Sequence, residues 1–205
     1  FLHLLVNRVY ALCGDSQDSS PLLTGMRMID EKELARELTA ILSELIAIPS
    51  TYPPGDTTEI CAYIAARYRA AGYQCQTVSR TEGIASVVAR SGSGAPQLAL
   101  NCHIDTVDVG AVSDWHSDPF QATLENGMIY GLGANNCKAS TALHIWLGEE
   151  IMRSGGLKQG EIVFTFTGDE ERLGSEGMAY LREMGALKPD IMLVGGPTEN
   201  DLITE

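Results

Sequence analysis

Asn101-Cys-His-Ile-Asp-Thr-Val107 closes an apolar run in which Leu98, Leu100 and Cys102 alternate with Asn101 and His103. Alternation of this kind predicts a strand over 97–103, with the apolar set on one face and Asn101 and His103 on the other. His103 then stands at the carboxyl end of its strand, where open α/β sheets place their sites. Thr167-Gly-Asp-Glu-Glu171 repeats the arrangement: Ile162, Phe164 and Phe166 alternate through a strand over 161–167 that runs out into three carboxylates. A histidine and carboxylates at strand ends can form a metal site that carries its own general base.

Outward from these two strands, helices and further strands alternate. Asp30 with Glu33 is a capping-box-like start, Leu34, Leu38, Ile41, Leu42 and Leu45 follow at helical spacing, and Pro49 ends the run. Thr58 is expected to cap a second helix, with Ile60, Ile64, Tyr68 and Ala71 inward and Gly72 as its stop. Strands are expected over 74–79 and 84–90, and Glu125-Asn-Gly127 signals a hairpin turn. A helix over 138–153 carries Ala142, Leu143, Trp146, Leu147 and Ile151 inward. A helix over 175–184 and a short buried strand over 191–194 complete the pattern. The alternation predicts an α/β layered domain with a mixed, largely parallel sheet flanked by helices.

The 205 residues suffice for one core. Fourteen basic against 27 acidic residues leave a net charge of −13, which repels nucleic acid and anionic membranes. No apolar run approaches the ~18 residues of a membrane span. Five cysteines, Cys13, Cys61, Cys75, Cys102 and Cys137, form no CxxC pair and are odd in number. That pattern predicts a reducing, cytoplasmic setting rather than a disulfide framework. The opening Phe1-Leu-His-Leu-Leu-Val6 is apolar without a basic lead, so residues 1–28 are expected to be an extension outside the fold.

Asp105, two residues beyond His103, can accept the ring N–H of a ligand histidine and fix its tautomer. Taken alone, a His-x-Asp pair is also a common structural contact. Asp169, Glu170 and Glu171 cannot all point to one place, and they raise one another's pKa values unless a cation or water relieves them. One division gives Glu171 to a metal and Glu170 to a water as general base, and a solvated acidic loop is the alternative. Gly131-Leu-Gly-Ala-Asn-Asn-Cys-Lys138 is a glycine turn into a helix and lacks phosphate-loop spacing. Cys137 has no histidine placed by the sequence to activate it as a nucleophile. His144, mid-helix, is expected to be exposed or satisfied locally, and His116 is loop-borne within possible reach of the site. Trp115 and Asp118-Pro-Phe120 are expected to anchor the loop they lie in.

In this order and spacing the pieces resemble the metal-dependent amidohydrolases and exopeptidases that include acetylornithine deacetylase, succinyl-diaminopimelate desuccinylase and carboxypeptidase G. The resemblance starts at Leu45-Ile-Ala-Ile-Pro-Ser50 and continues through His103-Ile-Asp-Thr106, Trp115 and Asp118-Pro-Phe120. It then takes in Tyr130-Gly-Leu-Gly133 with Lys138, Asp169-Glu-Glu171 with Gly174-Ser-Glu-Gly177, and Gly195 with Pro197-Thr198. It implies a zinc-exopeptidase-like catalytic domain, with residues 29–205 as its N-terminal portion and the lid or dimerisation domain and C-terminal portion absent.

The resemblance further implies two zinc or cobalt ions, cleavage of an amide in an N-acyl amino acid or small peptide, and a homodimer or association with a second chain. Carried over, His103 would be a metal ligand, Asp105 its orienting partner, Glu170 the base and Glu171 a ligand of the second metal. The family's bridging Asp falls at Asn136 and a further carboxylate ligand falls at Gly196. A neutral amide is a poor zinc ligand and glycine supplies no side chain. These departures imply an alternative, an inactive and truncated relative that keeps the fold to bind a ligand or partner.

Overall fold

A computed structural model describes residues 30–197, so the expected extension over 1–28, Cys13 and Thr198 lie outside the described residues. Helix α1 spans Glu31–Ile46, and the Asp30 carboxylate caps it by accepting from the Glu33 N–H at 2.9 Å. Its inner stripe buries Ile41, Leu42, Leu45 and Ile46. After the short strand β1 (Thr51–Tyr52) comes α2 (Thr58–Ala71). Gly72, at φ +102°, ends α2 in the left-handed conformation, and Tyr73 N–H closes back on Tyr68 O at 3.0 Å.

The N-terminus of α2 departs from expectation. Thr57, not Thr58, is the N-cap residue, and its hydroxyl makes no cap bond. It is pulled instead to the neighbouring strand, donating to Ala85 O and accepting from Ala85 N, each at 2.8 Å. Asp56 takes over the end of the helix by accepting from Thr58 N–H at 2.8 Å.

The remaining elements are β2 (Gln74–Thr81), β3 (Ile84–Ser93), β4 (Gln97–His103), β5 (Thr106–Val107), β6 (Thr123–Glu125), β7 (Met128–Tyr130), α3 (Lys138–Arg153), β8 (Gly160–Thr167), α4 (Met178–Glu183) and β9 (Ile191–Val194). The main sheet runs β2-β3-β8-β4-β9. Its β2–β3 and β3–β8 pairings are antiparallel, and its β8–β4 and β4–β9 pairings are parallel. The expected mixed sheet is therefore split, with the parallel pairings confined to the half that carries His103. Helix α4 is shorter than the expected 175–184: Gly177, at φ −90° and ψ −117°, is its N-cap, and Glu176 N–H before it is engaged by the Asp169 carboxylate at 2.9 Å.

One face of the sheet is covered by α1, α2 and α3. Its core gathers Leu100, Cys102, Ile162, Phe164 and Phe166 against Leu45, Ile64, Tyr68, Ile145 and Trp146. Tyr68 packs on Phe164 and Phe166 with ring centroids 5.2 and 5.4 Å away, contacts that each add about 1 kcal/mol beyond area burial. Its hydroxyl is satisfied by His144 O at 2.7 Å. On the other face Val78, Val88 and Val163 pack against Leu181 of α4. Among the described residues, no helix is long and apolar enough to cross a membrane.

His144 contradicts the sequence expectation. It is buried, its ring lies edge-on to Phe164 and Phe166, and its Nδ1 has no hydrogen-bond partner. Leu143, expected inward, is only half-buried. Helix α3 packs against α1, α2 and the sheet at once, so its buried arc is wider than one stripe and shifts to take in Thr141, His144 and Ile145.

Candidate metal centre

Parallel pairing brings the carboxyl ends of β4, β8 and β9 to one rim. His103 pairs in register with Thr167, and Asn101 with Val194. The chain after His103 is tied to both neighbours: Ile104 N–H donates to Thr167 O at 2.9 Å and Thr106 N–H to Ser50 O at 2.9 Å. The Ser50 hydroxyl returns a bond to Ile104 O at 2.7 Å. Lys138 ties the start of α3 to the same place through Nζ, which donates to Ile48 O at 2.7 Å. Burial lowers that ammonium to about 8.

The ring of His103 sits between two polar shells. Nδ1 lies 3.0 Å from the main-chain oxygen of Asp105 and 3.6 Å from its Oδ1. The nearer partner of the ring is thus the carbonyl of Asp105, with the carboxylate behind it. Asp105 itself is buried; Oδ2 accepts from Glu171 N–H at 3.0 Å, while Oδ1 has no hydrogen-bond partner. Burial works against its charge, but His103 and the N–H groups of Glu171 and Glu170 outweigh it and hold the carboxyl below its ordinary value.

On the other side, Nε2 lies 3.1 Å from Asn136 Oδ1 and 3.8 Å from Glu170 Oε2. Asn136 Nδ2 donates to Glu171 Oε1 at 3.3 Å. Burial disfavours a charged ring, yet Asp105, Cys137 and Asn136 around it raise His103 to about 11. The site therefore favours a positive charge at this ring. Burial, with Glu170 and Asp105 nearby, raises Glu171 above its ordinary value despite His103. The ligand atoms of His103, Glu170 and Glu171 lie within 4.8 Å of one another, the one such group among the described residues.

The three carboxylates divide as their crowding requires, and Asp169 is the one turned away. It adopts φ +72°, and its buried carboxylate is gripped by the Arg172 guanidinium and Glu176 N–H. Gly174 makes that grip possible, because a Cβ there would stand 1.8 Å from Asp169 Oδ2. Asp169 thus shapes the loop that presents Glu170 and Glu171. Its partner Arg172, three residues on, was visible in the sequence as an opposite charge but carried no sign of direction.

Cys137 is buried; its thiol donates to Asp105 O at 3.2 Å, and burial raises its pKa. An exposed thiolate nucleophile is not what this environment provides. His116 is exposed and packs edge-on against Tyr130, 4.9 Å between centroids, outside the ligand group. Trp115 anchors its loop by donating to Val109 O at 2.9 Å, and Asp118 accepts from Phe120 N–H at 2.9 Å. Gly196 lies exposed just beyond β9.

The family model for peptidase family M20/M25/M40 matches residues 99–204, just over half of the chain. Succinyl-diaminopimelate desuccinylase of Bordetella petrii is 34% identical over 168 residues, covering 80% of this chain and 43% of that protein. The corresponding enzyme of a Janthinobacterium species is 31% identical over 169 residues, with 80% and 44% covered. The chain thus matches less than half the length of these curated relatives. Among solved structures, human carnosine dipeptidase 1 matches with a TM-score of 0.68 at 21% identity, covering 78% of this chain and 38% of that one. An M20 family metallo-carboxypeptidase from Sulfolobus solfataricus matches at 0.66 and 24%, with 81% and 37% covered. At these identities the structural matches speak for the fold.

Proposed function

Because this chain belongs to peptidase family M20/M25/M40, we propose that its site serves metal-dependent hydrolysis of an amide bond in an N-acyl amino acid or small peptide. The observation that carries this reading is the convergence of the His103 ring with the carboxylates of Glu170 and Glu171. A divalent ion fits the set. His103 and Glu171 bring an imidazole nitrogen and a carboxylate within 4.8 Å of each other, the donor types that zinc takes in hydrolytic sites. The unpartnered, buried Oδ1 of Asp105 adds negative potential behind the imidazole, which strengthens a ligand histidine.

Zinc or cobalt suits an imidazole–carboxylate set. When bound, such an ion supplies Lewis acidity to the amide carbonyl and acidifies the attacking water. His103 offers Nε2, held in that tautomer by donation from Nδ1–H to the Asp105 carbonyl. Glu171 offers the second protein ligand. Glu170, with its side chain 51% exposed, takes the proton of the water and returns it to the leaving amine. Relatives named as a desuccinylase and a dipeptidase support an N-acylated amino acid or short peptide as substrate. The odd number of cysteines, with no CxxC pair, supports a reducing, cytoplasmic location.

The test is amine release from N-succinyl amino acids, N-acetyl amino acids and dipeptides, before and after chelation. Release that chelation abolishes and zinc or cobalt restores is the expected result, and no release from any of them by the loaded chain overturns the reading. Asn136 and Gly196 favour a second reading, an inactive relative that binds a ligand or partner. Binding of the same compounds without turnover would select it.

A further inference from the structure

A neutral amide fills the interval between His103 and Glu171. Asn136 Oδ1 stands 3.1 Å from His103 Nε2, and Asn136 Nδ2 donates to Glu171 Oε1 at 3.3 Å. A carboxylate in that place could give one oxygen to each of two cations. An amide cannot, because its nitrogen carries two protons and only its oxygen accepts. Asn136 therefore has one donor atom, for one ion, and 3.1 Å is close to the ~3.4 Å spacing of two donors on one tetrahedral zinc.

The second gap lies at the end of β9. Asn101 pairs with Val194, and Gly195 N–H donates to Asn101 O at 2.7 Å. Gly196 lies two residues beyond Val194, as His103 lies two residues beyond Asn101 on the neighbouring strand. A side chain there could reach an ion on the imidazole, but glycine offers none. Two dications in one site repel strongly and need shared or flanking anions to hold them. These two positions withhold both, so the residues present do not fit the pair of ions that the family resemblance implies.

We propose that this site takes a single divalent cation, held by His103 Nε2, Glu171 and the carbonyl of Asn136, and that Asn136 and Gly196 together exclude a second. The proposal rests on the reading of the site as a metal centre, and not on its hydrolytic activity. Glu170 stays outside the ligand set, and the buried Asp105 carboxylate balances the ion from behind the ring.

The test is titration of the metal-free 205-residue chain with Co2+, counted by calorimetry and by visible absorption of the bound ion. The wild type should saturate at one ion per chain, and His103→Ala should lose it. Asn136→Asp should bind that ion about tenfold more tightly or better, since affinity follows ligand charge. Asn136→Asp combined with Gly196→Glu should saturate at two. The glutamate has room, because a Cβ at Gly196 meets nothing within 4 Å. Far-ultraviolet circular dichroism checks that each variant is folded.

Two ions on the wild type would overturn the proposal and leave the metal-hydrolase reading standing. No ion would overturn both, and an undiminished count in His103→Ala would overturn the placement. A folded double variant that stops at one ion would overturn the role given to the two positions. One ion with no hydrolysis of any amide would uphold the proposal and sink the proposed activity.

Discussion

Lowering the pH from 7.5 to 5.0 should cost this protein about 2 kcal/mol of stability at one residue, His144. The ring is 6% exposed, with Phe164 and Phe166 at centroid distances of 6.1 and 6.3 Å, and its Nδ1 has no hydrogen-bond partner. Burial depresses it from 6.5 to about 4. Between those two values the unfolded chain holds a proton that the folded chain refuses, so stability falls as pH falls through 6.5. The loss is near zero at pH 7.5, about 2 kcal/mol at pH 5, and levels at about 3 kcal/mol below pH 4. In the metal-free protein His103, raised by Asp105, Cys137 and Asn136 despite its burial, acts in the opposite sense. A comparison with His144→Leu removes that shared background, since leucine fills a similar volume and does not titrate. Urea unfolding at the two pH values should show the wild type losing about 2 kcal/mol more than the variant. Equal pH dependence in the two proteins would refute the reasoning.

Three further outcomes follow from particular contacts. Thr57→Val should cost about 2–4 kcal/mol by chemical denaturation, because the hydroxyl both accepts from and donates to the buried main chain of Ala85; a loss below about 1 kcal/mol would contradict that. Gly174→Ala should destabilise by about 1–3 kcal/mol and weaken cobalt binding, as the new methyl displaces Asp169 and the loop bearing Glu171; unchanged stability and affinity would refute the loop's role. Glu170→Gln should lower kcat about 100-fold or more with KM and bound ion little changed, the mark of a general base that is not a ligand. A raised KM at constant kcat would assign Glu170 to binding instead.

The sheet rim that carries the site was legible because its strands announce themselves. β4 and β9 have the expected bounds, and α3 runs over 138–153 as its apolar spacing and the following glycines predict; β9, expected to be buried, is an edge strand that leaves Met192 and Val194 exposed. The helix starts were less legible. Thr57 and Thr58 are equivalent as caps in sequence, and only the approach of Ala85 decides that one is spent on a strand. At the site, charge at strand ends pointed to His103, Asp105, Glu170 and Glu171. The direction of Asp169 depended on a backbone conformation, φ +72°, and on the absence of a Cβ at Gly174. The burial of His144 was hidden for a different reason. Periodicity assumes one buried stripe, while α3 is packed by two helices and a sheet.

The most direct measurement is anomalous scattering at the zinc edge from crystals of the zinc-loaded chain. One peak is expected, within about 2.0–2.2 Å of both His103 Nε2 and a Glu171 oxygen. A peak on another set of residues, or none at this rim, would contradict the account.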